Sequence, residues 1–257
     1  MRRALILLLP LAVLALSITY AGFQQKLDIG TATDPNTVQT GYLKWNVYLP
    51  SELGDPWNWL PDCIDGVFVP NSPYIIVPEN PDVGNVTIQK SGDTVRMSLI
   101  NVYPGYLAVG HFIYKYDGSV PSKLRNVNVT IYDPYGLANH TITAMVVIWN
   151  SGNPGDTDNG AIVIGYPLTE LSSILKSVLK NVTFVKGGYI AFCKPNDTNV
   201  TITKVLINPD SGLTTDQINA LEKTDSFWVI VLPDETPPQG AFMSFNITLT
   251  FGQFNEP

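Results

Sequence analysis

The sequence is poor in charged residues, and positive charge is especially scarce. Charged residues make up 14% of the 257-residue chain, and its formal net charge is −7. Arg2, Arg3, Arg96 and Arg125 are its only arginines. Proteins that bind nucleic acids or anionic membranes need a basic surface that displaces counterions from phosphates. The composition therefore argues against a nucleic-acid partner and against binding to anionic membranes.

Histidine and cysteine are almost absent, with two residues of each. His111 and His140 stand at no metal-ligand spacing from a cysteine, so the sequence predicts neither a metal site nor a cofactor. An even number of cysteines in a secreted chain indicates a disulfide, here Cys63–Cys193, which would close a loop of about 130 residues. Two buried, unpaired thiols are the alternative.

Familiar catalytic motifs are also missing. The chain contains no G-x-S-x-G, phosphate-binding loop, H-E-x-x-H or C-x-x-C. Two carboxylate pairs, Asp62 with Asp65 and Asp234 with Glu235, lie in aromatic or proline-rich loops, where solvated charge is the simpler interpretation. We expect no catalytic residues and no enzymatic activity.

The N-terminus predicts export. Arg2 and Arg3 precede an apolar run, residues 5–16, that is interrupted by Pro10 and too short for a comfortable membrane span. Small residues before position 22 suit a signal peptidase that cuts after Ala21, so residues 1–21 are predicted to be a signal peptide. Alternatively, a prepilin-type peptidase would cut before the run and keep it as a helix. In the first case the mature chain is secreted, with no stable membrane insertion.

Strand patterns dominate the rest of the chain. Every second residue from Ala241 to Phe251 is apolar and falls on one face, and the intervening residues are polar except for Phe242, which predicts one wall of a two-sheet structure. Residues 94–131 read as strands separated by Pro104-Gly105 and Asp117-Gly118 turns, and we expect hairpins there. The near-continuous apolar segment 141–149 predicts a central strand. The sequence thus indicates an all-β, two-sheet sandwich.

Helical periodicity appears in two short stretches. Apolar residues in Thr169–Lys180 follow a helical pattern, with Thr169 as the predicted N-cap. A second helix is expected from Thr214 or Thr215 to Glu222. Residues 50–84, rich in Pro, Asp, Asn and Trp, are interpreted as a long loop with a brief strand at Tyr74–Val77.

Asn-x-Ser/Thr sequons are dense, which either predicts glycosylation or reflects the abundance of Asn and Thr on strand surfaces. Seven asparagines begin such sequons: Asn85, Asn128, Asn139, Asn181, Asn196, Asn199 and Asn246.

Several motifs resemble the TasA/camelysin family of secreted fibre proteins and its archaeal relatives that form bundling pili. The resemblance is carried by the segments 95–131 and 228–254, by the Asn101–Gly105 and Tyr116–Ser119 turns, and by Gln239-Gly240 before the last strand. It implies a jelly-roll-like sandwich, with the short helices as insertions, that serves as a structural subunit of an extracellular pilus or biofilm matrix fibre. The family often has Asp after Pro-Gly, where this chain has Tyr106.

The same resemblance assigns a role to the N-terminal strand. Subunits of such fibres assemble by donor-strand complementation, in which the leading strand of one subunit fills a groove in the next. Residues 22–33 would form the donor strand and hinge, and residues 34–257 the sandwich. Residues Gly30–Thr37 are interpreted as a hinge, because they are mostly small and lack the apolar pattern of a core element. The predicted donor residues are Phe23, Gln25, Leu27 and Ile29.

The partners implied are identical subunits, joined head to tail, and neighbouring filaments at the sides. Three alternatives stay open. Residues 22–30 would instead be the first strand of their own sandwich; the chain would be a type IV-like pilin that keeps its N-terminal helix; or it would be a monomeric carbohydrate-binding sandwich.

Overall fold

The computed structural model describes residues 26–31, 34–39, 41–54, 57, 59–68, 76–77, 83–196, 199–232 and 237–254. The strands of this part of the chain are β1 (Lys26–Thr31), β2 (Asp34–Gln39), β3 (Trp45–Tyr48), β4 (Cys63–Phe68), β5 (Ile76–Val77), β6 (Asn85–Ser91), β7 (Thr94–Ile100), β8 (Tyr106–Gly110), β9 (Ile113–Tyr116), β10 (Ser122–Tyr132), β11 (Thr141–Asn150), β12 (Asp158–Pro167), β13 (Thr183–Phe184), β14 (Tyr189–Ala191), β15 (Val200–Ile207), β16 (Phe227–Val231) and β17 (Phe242–Gln253). Its α-helices are α1 (Leu171–Val178) and α2 (Thr215–Leu221), and short 3₁₀ turns cover Pro50–Glu52, Leu137–His140 and Leu168–Glu170.

The strands form two large sheets and one small one. The five-stranded sheet has the order β13-β10-β17-β7-β6, and the small sheet contains only β1 and β2. The ten-stranded sheet runs β3-β9-β14-β11-β16-β8-β4-β5, with β12 on the other side of β11 and β15 beyond β12. All of these pairings are antiparallel except β12 with β15. The predicted all-β sandwich with short helical insertions is confirmed.

The last strand separates an inner from an outer face, as its alternation predicts. Met243, Phe245, Ile247 and Leu249 are buried in the core between the two large sheets. The residues between them point to the other face, because successive side chains of a strand alternate. Every second residue in this part of β17 thus contributes an apolar side chain to the core.

The central position predicted for the segment 141–149 is also confirmed. Strand β11 pairs with β12 on one side and with β14 and β16 on the other. Its residues Met145 and Val147 belong to the core between the sheets, whereas Val146 and Ile148 pack on the outer face with Trp57 and Leu60. Coverage of both faces explains why the segment is apolar without alternation.

Both predicted helices are present. The buried side of α1 packs in the core through Leu171, Leu175 and Val178. Helix α2 begins after Thr214, whose hydroxyl accepts a hydrogen bond from the Gln217 backbone amide in a capping box. The predicted Thr169 cap of α1 is wrong. Thr169 lies inside the 3₁₀ turn that leads directly into the helix, and the cap position is Glu170.

The hairpin predicted around Pro104-Gly105 does not form. Strand β7 belongs to the five-stranded sheet and β8 to the ten-stranded sheet, so the turn carries the chain across the sandwich. The Asp117-Gly118 turn likewise leads from β9 in one sheet to β10 in the other. Alternation identified the strands correctly, but it carries no information about their partners.

The interpretation of residues 50–84 as a loop misses one strand. Strand β4 pairs along β8 and buries Phe68. Asp62, Asp65 and Gly66 interrupt its apolar pattern, and this concealed it in the sequence. The brief strand expected at Tyr74–Val77 is described as β5, Ile76–Val77.

The predicted Cys63–Cys193 disulfide is wrong, and both residues are free thiols. Cys63 pairs with Gly110 on one side of the segment 110–112, and Phe192, the residue before Cys193, donates its backbone N–H to the Phe112 carbonyl on the other side. Two strand spacings, about 10 Å, therefore separate two Cα atoms that a disulfide needs within about 7 Å. The thiols also face opposite ways, since Cys63 borders the core between the sheets and Cys193 packs beneath Trp57 and Leu60.

Replacing Phe245 by Ala should test the core directly. Phe245 is 1% exposed in the middle of β17, so we expect Phe245→Ala to lower the free energy of unfolding by about 3–5 kcal/mol. Thr250→Ala, at an exposed position of the same strand, should change it by less than about 0.5 kcal/mol. Chemical denaturation measures both, and equal losses would contradict the assignment of the two faces.

Candidate assembly site

The N-terminal segment forms a hairpin outside the sandwich. Strands β1 and β2 pair over six residues each, from Lys26 opposite Gln39 to Thr31 opposite Asp34. No other strand in the described ranges joins this sheet. The described part of the predicted donor segment, Lys26–Thr31, is therefore extended and pairs with no described strand of the sandwich.

The four predicted donor residues divide between described and undescribed parts of the chain. Leu27 and Ile29 lie in β1, opposite Val38 and Asn36. Phe23 and Gln25 lie outside the described residues. The hinge expected at Gly30–Thr37 is wrong in part, because residues 34–37 belong to β2. Likewise, the domain boundary placed between residues 33 and 34 falls at the start of β2.

The two strands of the hairpin differ in what their backbones can offer a third strand. Pro35 of β2, opposite Gly30, has no backbone N–H and cannot donate to a ladder. Strand β1 contains no proline, so each of its residues carries a donor and an acceptor. Strand β1 is accordingly the better edge for pairing with another sheet. An isolated two-stranded hairpin is marginally stable in water, and a third strand would stabilise it.

A matching free edge exists on the sandwich. Strand β15 pairs with β12, and no described strand pairs with its other side. Its residues 201–205 are exposed, and Ile202 and Val205 are 40% and 50% exposed. Long apolar edge strands are templates for strand addition, because they present unpaired N–H and C=O groups.

The usual protections of an edge strand are weak here. The only charged residue of β15 is Lys204, and its ammonium group donates to the Ser177 and Val178 carbonyls at the end of α1, at 3.3 and 3.2 Å. This contact suits the negative end of a helix dipole. A register shift between Ile202 and Lys204 leaves Thr203 as a bulge. The bulge is the one device that blunts this edge.

An apolar groove adjoins the edge. A cavity of about 370 Å³ lies on the outer face of the ten-stranded sheet, with a floor that includes Val146, Ile162 and Ile202. Lys194, Glu222, Lys223 and Asp225 line the cavity with two charges of each sign. Side chains of an added strand would find an apolar floor there within a rim that carries no net charge.

The connection between hairpin and sandwich is short. Tyr42 is held beside the β9–β10 turn by its backbone, which donates to Ser119 Oγ at 3.0 Å and accepts from the Ser119 amide at 2.9 Å. Gln39 lies three residues before Tyr42, within about 10 Å. Strand β15 is four strand spacings, about 19 Å, from β9. The hairpin is therefore anchored about 19 Å from its own β15.

A buried polar cluster lies next to the groove, and sequence reasoning missed it. His111 is 2% exposed; its Nδ1 is 2.6 Å from the Pro61 carbonyl and its Nε2 is 2.7 Å from Ser226 Oγ. Ser226 Oγ is also 2.8 Å from Asp225 Oδ1; with Nδ1–H donated to the Pro61 carbonyl, a neutral His111 accepts the single Ser226 hydroxyl proton at Nε2. Ser226 is 3% exposed, so the cluster offers no open nucleophile.

The predicted carboxylate pairs are engaged or undescribed. Asp62 accepts hydrogen bonds from the Ser51 amide at 3.0 Å and hydroxyl at 2.8 Å. Asp65 accepts one from the Tyr106 hydroxyl at 2.9 Å. Asp234 and Glu235 lie outside the described residues. Within the described ranges, no three His, Cys, Asp or Glu side chains are placed to hold a metal ion.

The sequon asparagines reach the surface. Six are exposed, and Asn246 in β17 is partly exposed. Asn85, Asn128 and Asn246 lie on strands of the five-stranded sheet, Asn196 and Asn199 precede β15, and the others lie in turns. In the part of the chain that the structure describes, no helix is long and apolar enough to cross a membrane.

Comparison with known proteins adds no relative. No family model matches the chain, and no curated protein or solved structure matches it significantly. The resemblance to the TasA/camelysin fibre proteins therefore continues to depend on the turn and strand motifs of the sequence.

The buried cluster predicts a pH effect on stability. Burial lowers the pKa of His111 below its ordinary 6.5, although the Pro61 carbonyl and the charges of Asp225 and Asp62 partly oppose the shift. The unfolded chain then binds the proton more readily than the folded one. The stability contributed by neutral His111 is present above pH 6.5 and is lost as the pH falls through its folded-state pKa.

Urea unfolding between pH 7.5 and pH 5 measures this effect. Wild type should lose more stability over that interval than His111→Gln, which keeps a side chain that can donate and accept hydrogen bonds but does not titrate. Identical pH profiles for the two proteins would contradict the assignment.

Proposed function

We propose that the protein is a structural subunit of an extracellular filament, a bundling pilus or a biofilm matrix fibre, assembled by strand addition. After removal of residues 1–21, β1 of one subunit pairs with the free β15 edge of the next. The observation that carries the proposal is that β1 and β2 form a sheet of their own, outside the sandwich.

The hairpin changes the energetics of donor-strand assembly. Ordering a flexible arm of six residues costs about 6–12 kcal/mol, which equals or exceeds the gain of about 6 kcal/mol from a ladder of about 1 kcal/mol per hydrogen bond. Strand β2 already holds β1 extended over its six residues. Less entropy is therefore lost when β1 joins a neighbour, and a short strand suffices.

The contact joins two different surfaces, so it does not close on itself. A hairpin on one subunit and a β15 edge on the next form a heterologous interface, and repetition of such an interface gives an open chain. The proposed contact consists of main-chain hydrogen bonds and an apolar floor, and neither needs an oppositely charged partner surface. It therefore suits identical subunits that each carry a net charge of −7. Export and the absence of catalysis belong to the same proposal.

A lysine at position 205 tests the acceptor edge. Val205 is 50% exposed on β15, so Val205→Lys should fold normally but place a charge on the surface that β1 covers. We expect the critical concentration for assembly to rise at least tenfold, which corresponds to about 1.4 kcal/mol per contact. Pelleting and negative-stain electron microscopy measure it.

Ile64→Lys is the matched control, because Ile64 is 39% exposed on β4, away from the β15 edge of the same sheet. It should leave assembly unchanged. Normal filaments from Val205→Lys would contradict the β15 edge as acceptor. Normal filaments from a chain without residues 22–39 would contradict the role of the hairpin.

A further inference from the structure

Most of the outer face of the five-stranded sheet is a regular array of polar side chains that are, with one exception, uncharged. The registers of β6, β7, β17 and β10 align their outward residues into cross-strand rows. Arg96 is the only charged residue among them. We call this surface the polar face; its rows are Thr87, Ser98, Ser244 and Tyr132; Gln89, Arg96, Asn246 and Thr130; and Ser91, Thr94, Thr248 and Asn128.

Two sequons meet at the centre of the polar face. Asn246 is opposite Thr130, and Asn128 is opposite Thr248, so each sequon asparagine faces the threonine of the other sequon. Asn128 and Asn246 are diagonal neighbours, about 7–8 Å apart. A third sequon asparagine, Asn85, begins β6 on the same face. Sugar attached to one central asparagine would cover the other.

Exposed aromatic rings lie beside Asn246. Tyr132 is two residues beyond Thr130 on β10, which makes it the other diagonal neighbour of Asn246. It is 60% exposed, and its ring centre is 5.8 Å from that of Phe242, which also contacts the 44% exposed Tyr135. Tyr132, Tyr135 and Phe242 thus form an exposed aromatic cluster beside Asn246. Asn128, four residues from Tyr132 on the same strand, is about twice as far away.

We propose that Asn246 carries an N-linked glycan whose first sugars lie on the polar face against Tyr132 and Phe242. The Asn246 side-chain nitrogen bonds to the anomeric carbon of a lipid-linked oligosaccharide, the bond from that carbon to phosphate breaks, the lipid phosphate leaves, and the amide proton passes to a base. Apolar C–H faces of the sugar rings pack on the aromatic rings. The hydroxyl group of Thr130, which is exposed opposite Asn246, meets the sugar hydroxyls.

The position of Asn246 constrains when the sugar is added. Strand β17 is paired along Asn246 with Arg96 on one side and Thr130 on the other. A transferase binds its acceptor as an extended, accessible chain, and the folded sheet does not offer one here. Modification of Asn246 therefore precedes folding, and it requires the export that the proposed function includes.

A double-mutant cycle tests the contact. In protein purified from the cells that secrete it, glycopeptide mass spectrometry should find Asn246 modified and Asn128 mostly unmodified. Tyr132→Ala should lower the Tm by about 2–4 °C more in the glycosylated background than in the Asn246→Gln background. Phe254→Ala, 51% exposed and outside the polar face, should have the same effect in both.

Enzymatic removal of the glycan from folded wild type is a second measurement that does not depend on refolding a variant. It should lower the Tm of wild type but not that of Tyr132→Ala. An unmodified Asn246, or equal effects of Tyr132→Ala in both backgrounds, would overturn the proposal. Filament formation, assayed separately with Val205→Lys, reports on assembly and does not depend on these outcomes.

Discussion

The burial of one face of β17 in the core between the two large sheets is the constraint on which the rest of the structure depends. Phe245 and Ile247 enter the core, and the Tyr114 hydroxyl of the opposite sheet donates to the Ile247 carbonyl at 3.1 Å. Because the period of a strand is two, the residues between them must face outward. A slip of one residue would put Asn246 in the core and Phe245 in water, so burial fixes the outer array of polar side chains as well.

The lateral openings of the sandwich are closed in different ways, and the outer edge of β15 pairs with no described strand. Helix α1 covers the edge of β10, where Ser172 Oγ donates to the Val127 carbonyl at 2.6 Å. On the opposite side the Cys63 thiol reaches the Val86 carbonyl of β6 at 3.5 Å. Strand β15 extends the larger sheet beyond α1 and ends it with exposed apolar side chains. The proposed assembly would use this long edge, which has no proline and whose single charge, Lys204, is held at the end of α1.

Local patterns predicted the elements well and their partners poorly. Alternation located β17, apolar continuity located β11, and helical spacing located α1, since each depends on which residues are buried. Whether β7 pairs with β8 depends on the global path of the chain, so the Pro104-Gly105 hairpin was wrong. The disulfide prediction was wrong for the same reason. It depended only on the even number of cysteines, whereas Cys63 and Cys193 face opposite sides of one sheet. The His111–Ser226 contact joins residues 115 positions apart and left no local signal.

Cryo-electron microscopy of the secreted protein tests the central claim most directly. The account predicts filaments in which the backbone of Lys26–Thr31 from one subunit is hydrogen-bonded along Val200–Ile207 of the next. Filaments with a helical core built from the apolar N-terminal run would contradict it in favour of a pilin. Separate particles in which β1 has joined its own sandwich would contradict it in favour of a monomeric binding protein.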